Sequence, residues 1–245
     1  MFFFVIVMAI YFAIPYRFRW ALLLAASYYF YMAVKPALVV FLLLSTLSTY
    51  YAGIRMGKAE SKSRRKKYLL LSLFFNLGLL FVLKYYNFLS DSLGVFSGYF
   101  HVVYKFPALH VLLPVGISFY TFKSLSYAID VYRGAKPPER HLGFLALYIT
   151  FFPQLMTGPI ERATTFLPQL YKRLDFDYQR VVQGLRLMLW GFFQKMVIAD
   201  NLATLVDSVY KHPTDYQGIP LFLATFFFAF QIYCDFSGYS DIAIG

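Results

Sequence analysis

Long apolar runs separated by short polar breaks dominate this chain of 245 residues. The first run occupies 1–16 and the second about 20–34, divided by Arg17 and Arg19. A third covers 36–54, a fourth 68–89 and a fifth about 108–131. Two more long ones lie at about 181–209 and 219–244, with a shorter one at 142–160. Runs of roughly 18 or more apolar residues read as transmembrane helices, so the pattern predicts an all-α polytopic membrane protein. About seven transmembrane helices are expected in a single membrane domain: three spans in 1–54, two in 68–131 and the last two in 181–245. The opening MFFFVIVMAIYFAIPYRFR lacks a basic start and a small-residue cleavage site. It is therefore expected to stay as a span rather than leave as a signal peptide.

Composition agrees with that pattern. Sixty per cent of the residues are apolar and 14% charged, with a mean hydropathy of +0.57; soluble domains carry about 25% charged residues. The formal net charge of +11 would suggest nucleic acid on a soluble domain. Here the basic residues fall between apolar runs rather than along one face, so no nucleic-acid partner is expected. Basic residues collect instead on the cytoplasmic side of spans. The stretch RMGKAESKSRRKK, 55–67, holds seven of them against the single acid Glu60 and is expected to be a cytoplasmic loop. Counting outward from it leaves Arg17, Arg19, Arg133, Lys136 and Arg140 inside, and Lys35 and the 90–107 loop with Lys105 outside.

The run 142–160 reads differently. If it crossed the bilayer, Arg162, Lys172, Arg173 and Arg180 would all fall outside. If it enters and leaves on one side, seventeen of the 23 basic residues lie inside. Within it, TFFPQLMTGPI carries Pro153, Gly158 and Pro159, which remove or weaken helical hydrogen bonds. Non-helical backbone at membrane depth survives only where protein or a wet cavity satisfies it. The expectation is a re-entrant segment.

Polar groups inside apolar runs are the candidate chemistry, because a charge there is costly and usually lines a cavity or pairs. LPVGISFYTFKSLSYAIDVYRG offers Ser118, Tyr120, Thr121, Lys123, Ser124, Ser126 and Asp130, with Ser118, Phe122 and Ser126 recurring every four residues. LMLWGFFQKMVIADNLA offers Gln194, Lys195, Asp200 and Asn201, and helical spacing puts Gln194 and Asn201 on one face. FQIYCDFSGYSDIAIG offers Gln231, Asp235, Ser237, Tyr239 and Asp241. Asp235 and Tyr239, and likewise Ser237 and Asp241, are four apart and share a helical face. Such groups can be hydrogen-bond glue between helices, ion or proton ligands of a transporter or channel, the wall of an enzyme's cavity, or part of a non-catalytic scaffold. The four histidines, His101, His110, His141 and His212, fall in loops or at span ends, where a surface role is expected. GxGxxG, GxxxxGK[ST], GxSxG and HExxH are absent, and the single cysteine, Cys234, excludes an intramolecular disulfide or a multi-cysteine metal site. No metal or bound cofactor is expected.

Four segments in order, LPVGISFYTFKSLSYAIDVYRG, FFPQLMTGPIER, GFFQKMVIADNLA and FQIYCDFSGYSDIAIG, resemble the membrane-bound O-acyltransferase (MBOAT) family. The wording is most similar to its bacterial alginate O-acetyltransferase branch, and closer to that branch than to the D-alanyl-transferring one. The resemblance implies a helical ring around a funnel. Through it an acyl group, commonly acetyl, passes from a cytoplasmic donor (acyl-CoA or another acyl carrier) to hydroxyls of an extracytoplasmic polysaccharide. It implies the bacterial inner membrane with its lipid, a periplasmic or extracellular acyltransferase partner, and an intramembrane histidine as general base. In the family that histidine follows the DFSGYSD motif, so it is expected beyond Gly245, no catalytic residue is expected here, and the 245 residues alone are expected to be inactive. Asp235, Ser237, Tyr239, Asp241, Lys195, Asp200, Asn201 and Gln231 are then candidate funnel residues, with Asp235 or Asp241 orienting the base. Pro153, Gln154, Gly158, Pro159 and Arg162 are candidates for the donor side, Arg162 as an anchor for an anionic donor group.

Overall fold

The computed structural model describes residues 2–34, 36–99, 116–156 and 158–245. Expectations that fall on Lys35, His101, Lys105, His110, Thr157 and the 108–115 part of the fifth run lie outside the described residues. Among the described residues every regular element is helical. The eleven α-helices are α1 (Phe2–Ala13), α2 (Tyr16–Val34), α3 (Val39–Lys58), α4 (Lys62–Lys84), α5 (Tyr86–Tyr99), α6 (Ile117–Arg133), α7 (Leu142–Thr150), α8 (Ala163–Leu170), α9 (Tyr178–Phe192), α10 (Asp200–Tyr210) and α11 (Ile219–Ile244). A π-helical segment, Phe193–Ala199, joins α9 to α10.

Among the described residues three stretches are long and apolar enough to cross a membrane: Pro36–Lys58, Lys62–Lys84 and Ile219–Ile244. At about 1.5 Å per residue, a helix of 23 residues exceeds the roughly 30 Å hydrocarbon core. Phe2–Ala13 and Leu142–Gln154 are apolar but shorter. The all-helical build and these apolar helices make the chain a membrane protein.

The chain divides into two compact units. The first comprises Met1–Met156 with Ile160–Arg173 and holds α1 to α8. Its centre is buried tyrosine and leucine, including Tyr31, Leu42, Tyr120, Tyr127, Leu147 and Tyr148. Polar groups tie α3, α4 and α6 together. Ser45 donates to Asn76 Oδ1 at 2.6 Å and lies 3.2 Å from the Ser124 hydroxyl, while Asn76 Nδ2 donates to Thr49 at 3.2 Å. A buried amide without partners would cost several kcal/mol in apolar surroundings, so the network stabilises the packing only by being closed. The four-residue stripe of Ser118, Phe122 and Ser126 is not the buried face of α6. Phe122 is exposed, and Tyr120, Thr121, Lys123, Ser124 and Tyr127 face inward.

Two expected loops are largely helix. The basic stretch 55–67 forms the end of α3 and the start of α4, with only 59–61 between them. Ser61 turns the chain there by capping α4, its side chain accepting from the Arg64 amide at 3.3 Å. Helix α5 occupies much of the expected 90–107 loop. The segment 142–160 holds the nine-residue α7, about 14 Å long, then a 3₁₀ turn at Phe152–Gln154 and a non-helical stretch. Helix α8, with Pro168 inside it, was not expected from periodicity.

The second unit comprises Leu174–Gly245 with the short piece Thr157–Pro159. Asp177 starts α9 by accepting from the Gln179 and Arg180 amides. Helices α9 and α11 then cross with their backbones in contact. A Cβ placed on Gly191 would stand 2.5 Å from the Gly238 carbonyl, and one on Gly184 would collide with the Gly245 carbonyl. Residues seven apart on one helix meet residues seven apart on the other, in reverse order. The two helices are therefore antiparallel with a seam of glycines, the small-residue contact that lets membrane helices approach closely.

Candidate functional site

In the second unit the close glycine crossing brings the α9–α10 junction against the last turns of α11. The π segment decides what faces it. A π turn widens the winding, so successive residues advance by less than the α-helical step. Lys195, inside that segment, reaches both Asp200 Oδ1 at 2.9 Å and Asp235 Oδ1 at 2.6 Å. Next to it Gln194, buried, donates from Nε2 to Asp241 Oδ2 at 2.7 Å. Consecutive residues of one element thus each hold one carboxylate of α11.

A cavity of about 370 Å³ opens beside this pair, lined by Lys195, Gln231, Ile232, Asp235, Phe236 and Tyr239. Lys195, Asp200 and Asp235 have side chains 41%, 52% and 54% exposed, so the charges stand at an open face rather than in a sealed core. Gln231 Oε1 is buried and finds no hydrogen-bond partner among the described residues. One cation between two carboxylates leaves the cluster with a net negative charge, and the cavity presents hydroxyl, amide and carboxylate groups together. Such a lining can hold a polyhydroxylated ligand by hydrogen bonds and position a proton-accepting group beside it.

Of the residues expected there, Lys195, Asp200, Asp235, Gln231 and Tyr239 come together, and Asp241, farther along α11, is held by Gln194 instead. Asn201 does not join them. It is exposed and donates to the Val197 carbonyl of its own helix at 2.7 Å. The shared face expected for Gln194 and Asn201 assumed a regular α-helix, and the π segment between them removes it. Ser237 is half-buried on α11 and is not among the cavity's lining residues.

The first unit contains a second polar cluster. Lys123 of α6 is 1% exposed. Its Nζ donates to Gln154 Oε1 at 2.7 Å and to the Tyr148 carbonyl at 3.3 Å. Gln154 Nε2 then donates to Glu161 Oε2 at 3.1 Å, and the Tyr148 hydroxyl donates to the Glu161 carbonyl at 3.0 Å. The Gln154 amide therefore bridges a buried ammonium and a carboxylate across the turn of 150–161. Pro153 lies in the 3₁₀ turn, Gly158 is buried, Pro159 is half-buried, and Arg162 is exposed at the start of α8. Glu161 was missed from the sequence although it precedes Arg162 in the quoted GPIER; an acid seven residues after Gln154 was the available signal. His141 caps α7, its Nδ1 accepting from the Phe144 amide at 3.2 Å, and its ring lies 4.7 Å from Trp20. His212 sits in an exposed turn. Among the described residues no group of His, Cys, Asp and Glu has metal-binding geometry.

No family model matches the chain. Curated relatives do. Over 97% of its length it is 36% identical to a probable alginate O-acetylase of Azotobacter vinelandii, covering 47% of that protein. Over 94% of its length it is 38% identical to a probable alginate O-acetylase of Pseudomonas aeruginosa, covering 44% of it. A peptidoglycan O-acetyltransferase of Helicobacter pylori is 30% identical over 91% of the chain and 46% of its own length. Weaker likeness extends to a teichoic acid D-alanyltransferase of Streptococcus thermophilus, 26% identical over 53% of the chain. By this likeness the chain belongs to the membrane-bound O-acyltransferase family. Within it the chain stands with the alginate O-acetylase-like branch, and it spans about half the length of the curated relatives it matches.

Proposed function

We propose that the intact protein is a membrane O-acyltransferase, moving an acyl group, acetyl in the first instance, onto hydroxyls of an extracytoplasmic polysaccharide. The observation that carries this reading is the 34–38% identity to alginate O-acetylases along nearly the whole chain. The donor is acyl-CoA or another acyl carrier on the cytoplasmic side. The setting is multi-pass in the bacterial inner membrane, with a periplasmic or extracellular acyltransferase as partner. The re-entrant reading of 142–160 is supported by α7, too short at nine residues to cross the bilayer.

In this reading the general base is a histidine outside these 245 residues, and the chain alone is inactive. His141 and His212 support that view, since one is committed to a helix cap and the other to an exposed turn. Asp235, Lys195 and Asp200 form the acceptor-side wall, where the charge cluster positions sugar hydroxyls and orients the base. Gln154 and Glu161 hold the donor-side turn, with Arg162 exposed beside them for an anionic donor group. Reconstituted vesicles carrying the intact protein test the reading. Labelled acetyl-CoA on one side and polysaccharide on the other are expected to yield alkali-labile ester on the glycan. Solute flux without ester formation would overturn it.

A further inference from the structure

The α3–α4 hairpin ends in an uncommon density of positive charge. Arg55 and Lys58 close α3, and Lys62, Arg64, Arg65, Lys66 and Lys67 open α4. All but Arg65 are exposed. Arg65 Nη2 donates to the carbonyls of Val131 at 2.8 Å and Tyr132 at 3.0 Å, drawing the end of α6 onto the hairpin. That contact adds Arg133, Lys136 and Arg140 to the same end of the unit. Across 55–67 and 133–140 the only acids are Glu60 and Glu139. Glu139 is buried and already accepts from the Tyr171 hydroxyl at 2.6 Å and the His141 amide at 3.0 Å.

Between hairpin and connection lies a cavity of about 350 Å³, lined by Met56, Gly57, Arg65, Lys136 and Pro138 among others. Lys136 Nζ donates to the Ala163 carbonyl at 3.1 Å, and burial holds its ammonium below its usual pKa, opposed by Glu139. Arg65 Nε is buried and finds no acceptor among the described residues. Among the described residues neither group is in salt-bridge contact with a carboxylate, Glu139 acting on Lys136 only through space. Just above the basic turns, α4 presents Leu70, Leu71 and Phe74 to the outside, Phe74 being 80% exposed. Arg55 lies 5.0 Å from the Tyr51 ring, as cations and aromatics do at a membrane interface. Charge below and apolar surface above are the two halves of a phospholipid.

We propose that this basic end of the α3–α4 hairpin, with the adjoining α6–α7 connection, is a docking site for the phosphate headgroups of anionic phospholipids. The site lies at the shared end of two helices long and apolar enough to cross a membrane, which sets it at headgroup depth. Electrostatic attraction brings an anionic lipid to the turn, its acyl chains lie along Leu70, Leu71 and Phe74, and its phosphate meets Lys136 and the hairpin lysines. The proposal rests on membrane insertion and not on acyl transfer, so it can fail or stand independently of the enzymatic reading.

The test uses the 245-residue chain in neutral detergent, titrated with phosphatidylglycerol or phosphatidylcholine and followed by native mass spectrometry. Phosphatidylglycerol is expected to be retained in preference, with affinity falling as salt rises. The exposed triple variant Lys58→Gln/Lys62→Gln/Lys66→Gln is expected to weaken retention on the order of a hundredfold, at several-fold per basic residue. Lys211→Gln, in the second unit, is expected to change nothing. Equal retention of the two lipids, salt-independent binding, or equal loss in Lys211→Gln would each overturn the proposal. Displacement of phosphatidylglycerol by an equal concentration of coenzyme A would also overturn it, marking a soluble-phosphate site instead. The salt titration of the unmodified chain decides the matter even if the triple variant fails to fold.

Discussion

The two polar clusters solve opposite problems with similar residues. In the first unit Lys123 is 1% exposed and its ammonium is enclosed by Gln154, Tyr148 and the carboxylate beyond. In the second, Lys195 is held by two carboxylates yet about 40% of its side chain remains open. A closed network fixes structure, because removing one member leaves the others buried and unpaired. An open one tolerates loss of a member thermodynamically, since solvent or a ligand can replace it. The difference separates residues that hold the fold from residues available for chemistry, although each cluster is built around a helical lysine with apolar neighbours.

The largest expected effect breaks the closed side. Lys123→Met leaves Gln154 Oε1 buried without its charged donor, while Glu161 keeps its bonds from Gln154 and Gln169, and should cost about 3 kcal/mol in a chemical unfolding titration in detergent. Next, Gly238→Val drives a Cβ against the Gly191 carbonyl at 2.7 Å and should cost about 1–3 kcal/mol. Cys234, buried and the only thiol, reads this locally: maleimide labelling should accelerate in Gly238→Val and stay slow in Lys123→Met. Equal acceleration in both would mean the two units do not unfold separately. Third, Asn76→Leu opens the Ser45–Thr49 network and should cost about 1–2 kcal/mol, within the range for interhelical hydrogen bonds in membranes. Smallest in stability is Lys195→Met, under about 1 kcal/mol for a half-exposed pair. In the intact protein the same change should lower acyl transfer at least tenfold. A large stability loss with unchanged transfer would reverse the comparison.

Apolar length made the long helices legible, because a run such as 219–244 has no other way to satisfy its backbone in lipid. Proline and glycine at 153, 158 and 159 likewise announced that 142–160 would not be one continuous helix. Helix α8 was hidden because eight residues with a proline inside carry too little periodicity to stand out. The charged cluster was visible only as separate candidates. Lys195 and Asp200 sit five apart, a spacing that an α-helix places on different sides and a π segment draws together. Lys123, Gln154 and Glu161 meet through a turn whose course no local rule gives, so Lys123 and Gln154 were read as unrelated candidates and Glu161 was missed.

The π segment 193–199 also bears on how the chain can vary in length. Deleting one residue there would restore an unbroken α-helix, a locally stable outcome that costs no hydrogen bond. The π turn already spreads one extra residue over the same angle, so α10 would keep its facing relative to α9, but a deletion before Lys195 would leave it five α-helical residues from Asp200, about 140° around the axis. A deletion between the two would instead set them four apart on one face, so the fate of the charge cluster depends on which side of Lys195 the codon is lost, while the same deletion in the exposed 211–218 turn leaves its spacing untouched.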